Sequence, residues 1–477
     1  MSAPSSQPLP PFAQRVDAAV HDEHLHDALG RATAQLRSRR GGAFASLEQS
    51  DAVRAAARAA KMHVLDRLDE SLIAFEQSLR ARGFQVHWAE TPEQANDLVR
   101  AIARRAGCKL AVKSKSMATE ETHLNAALEQ DGVEVVESDL GEYIVQLRRD
   151  RPSHIILPII HLTREDVGKV VSEELHVPYT DEPKELAAIA REVLRAKFLA
   201  ADLGITGANF GLVEEGALCL VSNEGNIRMT SSLPRIHVAL LGIEKLVRNA
   251  SDLDAMLRLL ARSATGQKLT VYTTLIEGPR RSPEDEGPEE SHVILLDNGR
   301  STTRGGEEAE ILACIRCGAC LNACPVYQQI GGHAYGDTYP GPMGAIWTPS
   351  LRGMDGWKEL PGASSLCGAC EEVCPVNLRI PKMLLSLRAR AREQHGGSPR
   401  WLRFGLRFYA AFARRPWLWR SALRVASLGA RLLARDGWLR KVPGPLSAWT
   451  KRRDLPAPAP QSFTAWMSAR ARERARG

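Results

Sequence analysis

The chain has 477 residues, of which 44% are apolar and 25% are charged, the composition of an ordinary globular protein rather than a disordered one. Its length predicts two or three domains. It contains no run of 18 uninterrupted apolar residues and no charged start followed by an apolar stretch. These absences argue against a membrane-spanning helix and a secretory signal, so we expect a cytoplasmic protein.

The net charge of +7 is unevenly distributed along the chain. Residues 401–477 hold 17 Lys and Arg against three acids, a local charge of +14, which leaves −7 for the first 400 residues. This contrast predicts a neutral-to-acidic body followed by a basic C-terminal tail over residues 396–477.

The first 300 residues predict an N-terminal helical region (1–59) followed by an α/β domain (60–300). Within the domain, short apolar runs bounded by turn-forming residues alternate with helical stretches such as PKELAAIAREVLRAKF. The runs that we predict as strands are CKLAVKS, VEVVES, HIILPII and HVILLD. Strands that alternate with helices indicate a largely parallel sheet.

One segment of this domain departs from the alternation. In GANFGLVEEGALCLVSNEGNIRM (207–229), four glycines interrupt residues with a preference for β structure. This pattern predicts hairpins or a curved edge of the same sheet.

Seven of the nine cysteines lie between residues 314 and 374. Such clustering in a large cytosolic chain indicates metal ligation rather than disulfides. CIRCGACLNACP (314–325) has the spacing of a 4Fe–4S ligand loop, in which three thiolates bind one cluster and the fourth, before Pro, binds a second. Zinc is the alternative, because CxxC pairs also bind it. A second copy of the pattern downstream favours iron and sulfide, for which thiolates are soft ligands.

The second copy, SSLCGACEEVCP (364–375), has Ser364 where the first has Cys314. Crossing the two motifs assigns Cys314, Cys317, Cys320 and Cys374 to cluster 1, and Cys324, Cys367 and Cys370 to cluster 2. Cluster 1 is then a 4Fe–4S cluster. Cluster 2 is a 3Fe–4S cluster, a 4Fe–4S cluster with a non-cysteine or exogenous ligand, or a cluster that Ser364 ligates. The remaining alternative, the absence of cluster 2, leaves three cysteines without a role.

The long stretch between the motifs favours an all-α ferredoxin-like module over residues 305–395, with each ligand loop opening onto a helix. Amide groups near those helix starts would hydrogen-bond cluster sulfurs and raise the reduction potential.

The motifs CIRCGACLNACPVY, GGHAYGDTYPGPMGA and ASSLCGACEEVCPV, together with AVKSKSMATEETHLN and GITGANFGLVEEGALCLVSNEGN, resemble the lactate-utilisation iron–sulfur proteins of the lactate utilisation protein B family. The resemblance covers roughly residues 60–395 and, more weakly, DLPAPAPQSF near the end of the chain. It implies a NagB/RpiA/CoA-transferase-like fold, called a LUD domain, joined to the ferredoxin-type module. Members of the family carry Ser or Cys at the position of Ser364, which favours a tolerated three-cysteine cluster.

The resemblance also implies partners and a role. Two other lactate-utilisation proteins, a cysteine-rich oxidoreductase subunit and a second LUD-type subunit, would join this protein in oxidising L-lactate to pyruvate. In that complex the present protein is expected to pass electrons rather than to catalyse the oxidation itself.

A rival function rests on the α/β domain. Glu224, in the turn SNEGN, resembles the Glu nucleophile of CoA-transferases and offers acyl or CoA chemistry, with structural or regulatory clusters; a plain turn is the simpler interpretation. KSKSM (113–117) offers a phosphate or carboxylate site at a helix start, against the simpler interpretation of a solvated turn. The candidate contacts of such a site are Lys113, Ser114, Lys115, Ser116, Asn209, Asn223 and Asn226. A redox-sensing regulator is a third possibility, weakened by the lack of a DNA-binding motif.

The basic tail predicts an amphipathic helix in PWLWRSALRVASLGARLLARDGW, with Arg420, Arg424, Arg431 and Arg435 on one face. Such a helix suits the surface of an anionic membrane or a partner subunit. No recognised nucleic-acid module accompanies the charge, so we expect no nucleic-acid binding.

Overall fold

The computed structural model describes residues 9–395, 400–442, 447–450 and 453–475. Contacts between backbone positions divide the chain into two compact units, Met1–His395 and Gly396–Gly477. The strands described in the first unit are β1 Gln85–Ala89, β2 Leu110–Lys113, β3 Glu134–Glu137, β4 Leu203–Thr206, β5 Phe210–Leu212, β6 Ala217–Ser222, β7 Ile236–Gly242, β8 Leu246–Val247, β9 Tyr272–Ile276 and β10 Glu290–Leu296.

Helices cover most of the remaining chain of the first unit, with short 3₁₀ turns between some of them. The helices are α1 Phe12–Val20, α2 Glu23–Ala45, α3 Ser50–Asp66, α4 Leu68–Ala81, α5 Pro92–Arg105, α6 Met117–Thr122, α7 Leu124–Gln130, α8 Leu140–Arg148, α9 Arg164–Leu175, α10 Pro183–Ala200, α11 Asn226–Ser232, α12 Ala250–Ala264, α13 Arg300–Arg304, α14 Ala319–Ala323, α15 Tyr327–Ile330, α16 Gly341–Arg352, α17 Ala369–Glu372 and α18 Ile380–His395.

A six-stranded sheet of order β1-β10-β7-β4-β2-β3 organises the first unit, and all its strand pairs are parallel. Every residue of β7 is buried, as expected for a parallel strand covered on both faces. The predicted α/β class is therefore confirmed, as are the strands in CKLAVKS, VEVVES and HVILLD.

The prediction of a strand in HIILPII (154–160) is wrong. His154 Nδ1 accepts hydrogen bonds from the amides of Ile156 and Leu157 at 3.0 and 3.1 Å, which curls the chain into turns. Pro158 has no amide hydrogen with which to join a strand ladder. The run consequently forms turns, with Ile155 and Ile160 buried in the core that contains the cysteine region.

Residues 207–229 form the predicted hairpin, β5–β6, but not an edge of the parallel sheet. The hairpin belongs to a separate four-stranded sheet of order β8-β5-β6-β9. At Gly211 a Cβ atom would lie 2.6 Å from the Phe75 ring. The hairpin therefore packs closely against α4.

The cysteine-containing region shares its apolar core with helices from elsewhere in the first unit. Leu29 of α2 and Met256 of α12 belong to the same buried cluster as Trp347 of α16 and Leu384 of α18. The ligand loops are consequently supported from several sides by regular structure.

The second unit contains α19 Arg400–Ala413, α20 Pro416–Leu433, β11 Trp438–Leu439, α21 Ser447–Thr450, β12 Leu455–Pro456 and α22 Phe463–Arg474. The predicted tail helix is present as α20, but Arg435 lies beyond its end and is not on its face. Trp417 and Leu432 of α20 are 67% and 79% exposed, so these apolar side chains face solvent. Among the described helices of the chain, none has both the length and the apolar composition needed to cross a bilayer.

Candidate iron–sulfur site

The two cysteine motifs fold into loops with the same backbone conformation. In the first loop Arg316 and Gly318 have φ angles of 59° and 73°. The equivalent residues of the second loop, Leu366 and Gly368, have φ angles of 56° and 86°. A positive φ is uncommon for residues other than glycine, so its recurrence at Arg316 and Leu366 shows that the repeat in sequence is a repeat in structure. Each loop opens onto a short helix, α14 or α17, as predicted.

Ser364 has the place of Cys314 in this repeat. The amide nitrogen of Arg316 donates to Cys314 Sγ at 3.5 Å, and the amide nitrogen of Leu366 donates to Ser364 Oγ at 3.1 Å. Arg388 donates to the carbonyl oxygen of Ser364 at 2.7 Å and supports the start of the loop. The serine hydroxyl oxygen therefore stands where a sulfur stands in the first loop.

Four of the candidate ligands surround one small cavity. Its lining includes Cys314, Cys317, Cys320 and Cys374, with apolar side chains between them. Burial raises the pKa of Cys317 to about 12, and the thiols of Cys314 and Cys374 contribute to the increase. The structure thus brings a cysteine of the second motif to three cysteines of the first.

The other three candidate ligands meet elsewhere. Burial raises the pKa of Cys370 to about 12, and the thiols of Cys324 and Cys367 contribute. Cys367 is exposed, and hydrogen bonds from the Ala369 amide and the Ser365 hydroxyl lower its pKa. This second group combines a cysteine of the first motif with two of the second. Burial, with Cys370 among the neighbouring thiols, raises the pKa of Cys320, so the two groups lie close to each other.

The surroundings of both groups fit an anionic cluster. Tyr327 donates its amide to Cys324 Sγ at 3.4 Å, and Leu378 donates its amide to Cys374 Sγ at 3.3 Å. Arg54 of α3 donates to the carbonyl oxygen of Cys374 at 2.7 Å and places a positive charge nearby. Thiol ligands, amide donors to sulfur and an apolar lining are the features by which proteins hold and tune iron–sulfur clusters.

A buried charge network joins the first ligand loop to the parallel sheet. Glu244 follows β7 and accepts hydrogen bonds from Arg316 Nη2 at 3.0 Å and Arg300 Nε at 2.5 Å. Arg300 also donates to Glu121 at 2.7 Å. The Arg316 guanidinium lies 3.7 Å from the centre of the Trp347 ring, a cation–π distance. Each of the four charged residues is at most 5% exposed to solvent.

The sequence alone does not indicate this network. The position of Arg316 inside the motif CIRC is the only feature of the sequence near the cysteines that points to the network. Glu121 and Glu244 lie far from Arg316 in the sequence and follow other elements of the α/β domain, so only the folded structure brings them to Arg300 and Arg316.

A larger cavity of about 290 Å³ lies among the loops that follow β2, β4 and β7. Its lining includes seven residues predicted from the sequence: Ser114, Lys115, Ser116, Asn209, Asn223, Glu224 and Asn226. Glu224 is exposed at the rim. Lys113 does not line this cavity, so its predicted ligand contact is wrong: it is fully buried and pairs with Glu137 at 2.7 Å and Glu120 at 3.0 Å.

Comparison with known protein families covers both regions and the tail. The LUD domain profile matches residues 72–296, the 4Fe-4S dicluster domain profile matches residues 310–378, and the profile named lactate utilisation protein B, C-terminal, matches residues 387–472. A parallel α/β domain followed by grouped cysteines therefore defines an iron–sulfur protein with a LUD domain and a 4Fe–4S dicluster domain.

Relatives named lactate utilization protein B match almost the whole chain. The protein of Anoxybacillus flavithermus is 41% identical over 463 residues, covering 97% of this chain and 98% of its own. Those of Bacillus velezensis and Bacillus subtilis are 42% and 41% identical, with 97% and 96% of this chain covered and 98% and 96% of their own. The chain belongs to the lactate utilization protein B family.

Proposed function

We propose that this protein is the iron–sulfur electron-transfer subunit of a complex that oxidises L-lactate to pyruvate. The observation that supports the proposal most directly is the approach of Cys374, from the second motif, to three cysteines of the first motif around one cavity. The name of the relatives, lactate utilization protein B, supports the substrate. The oxidation of lactate removes two electrons, and an iron–sulfur cluster supplies a one-electron carrier.

In this proposal Cys314, Cys317, Cys320 and Cys374 hold a 4Fe–4S cluster 1, and Cys324, Cys367 and Cys370 hold cluster 2. Cluster 2 is either a 3Fe–4S cluster or a 4Fe–4S cluster with one non-cysteine ligand. The position of Ser364 Oγ supports a role for this residue at the fourth corner, directly or through an exogenous ligand.

The chain's own residues set how the clusters work. Amide donors from Tyr327 and Leu378 to ligand sulfurs favour the reduced, more negative state of a cluster. Arg54 acts in the same direction through its charge. Since Cys367 is exposed, cluster 2 is the point at which electrons are exchanged with another protein.

Several finer features belong to the proposal. The α/β domain (60–300) has a NagB/RpiA-like fold and follows an N-terminal helical region (1–59), and residues 305–395 form an all-α ferredoxin-like module. The protein works in the cytoplasm with a cysteine-rich oxidoreductase subunit and a second LUD-type subunit. The exposed apolar side chains and arginines of α20 support contact of the tail (396–477) with a membrane surface or a partner.

An acyl- or CoA-handling enzyme is the second candidate, favoured by the position of Glu224 at the rim of the larger cavity. Replacing Glu224 by Gln distinguishes the two functions. Electron transfer predicts unchanged reduction of the clusters by lactate in the presence of the partners. Acyl chemistry predicts a loss of function while both clusters remain intact.

The test of the main proposal is reduction of the clusters by substrate. Anaerobically purified protein, mixed with its two partner proteins, should show bleaching of cluster absorbance when L-lactate is added. Neither the protein without partners nor a Cys317→Ser, Cys370→Ser double variant should respond. Growth on lactate by cells that carry only the double variant would contradict the proposal.

Ser364→Cys is predicted to complete cluster 2. A fourth thiolate converts a 3Fe–4S centre, which gives an electron paramagnetic resonance signal when oxidised, into a 4Fe–4S centre that is silent until reduced. We expect the oxidised signal to disappear and the iron content to rise by about one atom per chain. If wild-type cluster 2 is already 4Fe–4S, the substitution changes only the spectrum of the reduced cluster. Ser364→Ala is the matched control and should not gain iron. An absence of any spectral change in Ser364→Cys would contradict the placement of residue 364 beside cluster 2.

A further inference from the structure

The larger cavity lies where the connections of the parallel sheet diverge. Ser114 follows β2, Gly207 follows β4 and Lys245 follows β7, and all three line the cavity. The adjacent strands β2 and β4 continue toward opposite edges of the sheet, β2 to β3 and β4 to β7. Such a point, at the carboxyl ends of the strands, is where open α/β sheets bind ligands.

Two polar groups of the lining lack a partner. Ser114 is 1% exposed and its Oγ has no hydrogen bond. Lys245 Nζ makes neither a hydrogen bond nor an ion pair with any residue in the described part of the chain. Ser114 Oγ is a buried polar group of the kind that normally has a hydrogen-bond partner, whereas Lys245 is only partly buried. Both groups are therefore available to a ligand.

The other cations of the lining are already engaged. Lys115 Nζ donates to the carbonyl oxygen of Ile156 at 2.7 Å, and Arg316 pairs with Glu244 at 3.0 Å. Lys245 is the remaining cation of the lining. Two carboxylates, Asp139 and Glu224, also line the cavity, and the carboxylate of Glu244 is engaged by Arg300 and Arg316. Lys245 is the cation of the lining that has neither a hydrogen bond nor an ion pair among the described residues.

The cationic part of the cavity adjoins the ligand loop of cluster 1. Arg316 lines the cavity, and its amide donates to Cys314 Sγ. Apolar side chains, among them Ile155, Leu220 and Leu260, line much of the rest. A volume of about 290 Å³ is at the lower end of the range for ligands of drug size, so a three-carbon acid would leave most of the cavity to water.

We propose that this cavity binds an organic carboxylate with an apolar body, whose carboxylate pairs with Lys245 next to the loop of cluster 1. Ser114 supplies a second polar contact, and the apolar lining covers the body of the ligand. The binding itself is independent of lactate oxidation. Only the spectroscopic detection of the bound ligand rests on the proposed function, because it requires that cluster 1 be present.

The test uses the full-length protein with its clusters, under anaerobic conditions. The probes are 3-phenylpropanoate and its neutral isostere 3-phenylpropanamide, measured by titration calorimetry. We expect the carboxylate to bind about tenfold more tightly than the amide, or more, because a charge-assisted contact is lost in the amide. L-Lactate and pyruvate, as separate probes, show whether a three-carbon acid suffices.

Variants assign the binding to the cavity. Lys245→Met should weaken binding of 3-phenylpropanoate by about tenfold or more, Lys245→Arg should retain it, and Ser114→Ala should weaken it by a smaller factor. Lys169→Met, an exposed lysine of α9 outside the cavity, is the control and should bind like the wild type. The resonance of reduced cluster 1 should shift with the probe in the wild type and not in Lys245→Met.

Equal affinities of the carboxylate and the amide, no binding of any carboxylate, or wild-type binding by Lys245→Met would each overturn the proposal. If binding follows Lys245 but lactate and partners never reduce the clusters, the proposed function fails and the site remains. If lactate reduces the clusters but no carboxylate binds, the site fails and the proposed function remains.

Discussion

Cys374→Ser is expected to abolish cluster 1, although Cys374 belongs to the second motif. Cys324→Ser is expected to damage cluster 2, although Cys324 belongs to the first. The reason is the grouping in the structure, where Cys374 lines the cavity formed by Cys314, Cys317 and Cys320. Loss of a 4Fe–4S ligand set should remove about four iron atoms per chain or convert the cluster to a 3Fe–4S form that lacks one. Iron and sulfide analysis, with resonance spectra of the oxidised and reduced protein, measures the change.

The comparison needs variants within and outside the motifs. Cys317→Ser should reproduce the spectrum of Cys374→Ser, and Cys370→Ser should reproduce that of Cys324→Ser. Cys108→Ala and Cys219→Ala are the controls, because these buried thiols belong to neither group, and both should retain full iron content. If Cys374→Ser instead affected the same cluster as Cys370→Ser, each motif would serve one cluster and the crossed assignment would be wrong.

The sequence was sufficient for features that depend on neighbouring residues. The spacing of the cysteines predicted two related loops, and the structure repeats the same φ angles at Arg316 and Leu366. Apolar runs predicted three of the six strands of the sheet, β2, β3 and β10, because a parallel strand covered on both faces needs apolar residues throughout. HIILPII has the same composition but became a turn, since His154 binds two amides of the run and Pro158 offers none.

Features that depend on distant residues were not predictable in this way. Lys113 looked like a solvent-facing cation until the fold placed Glu137 of the neighbouring strand 2.7 Å from its ammonium. The sequence does not single out Lys245. Its importance comes from its position in the lining of the larger cavity without a described partner, and only the folded structure shows this. Hydrophilic residues are usually exposed, and only tertiary structure shows which of them are paired or left free within the core.

Glu244→Ala is expected to be the most destabilising single substitution of the charge network. Removing this carboxylate leaves Arg300 and Arg316 buried with one partner fewer, and breaking a buried pair in this way costs about 3–5 kcal/mol. Burial alone would raise the pKa of Glu244, but Arg300 and Arg316 outweigh it and lower the pKa to about 2. The contribution is therefore complete above the ordinary carboxyl pKa of about 4.3 and is lost only as the pH falls toward 2.

The measurement is the apparent free energy of unfolding in urea at pH 7, followed by far-ultraviolet circular dichroism. Asp254→Ala is the control: its ion pair with Arg258, at 3.7 Å on the exposed face of α12, should contribute only about 0.3–0.5 kcal/mol. Because Arg316 belongs to the ligand loop, Glu244→Ala should also lose the iron of cluster 1 to a chelator faster than the wild type, whereas Asp254→Ala should not. A Glu244→Ala protein with wild-type stability and iron retention would show that the network neither stabilises the fold nor holds the loop, and that the cluster is supported by its cysteines and the surrounding apolar core.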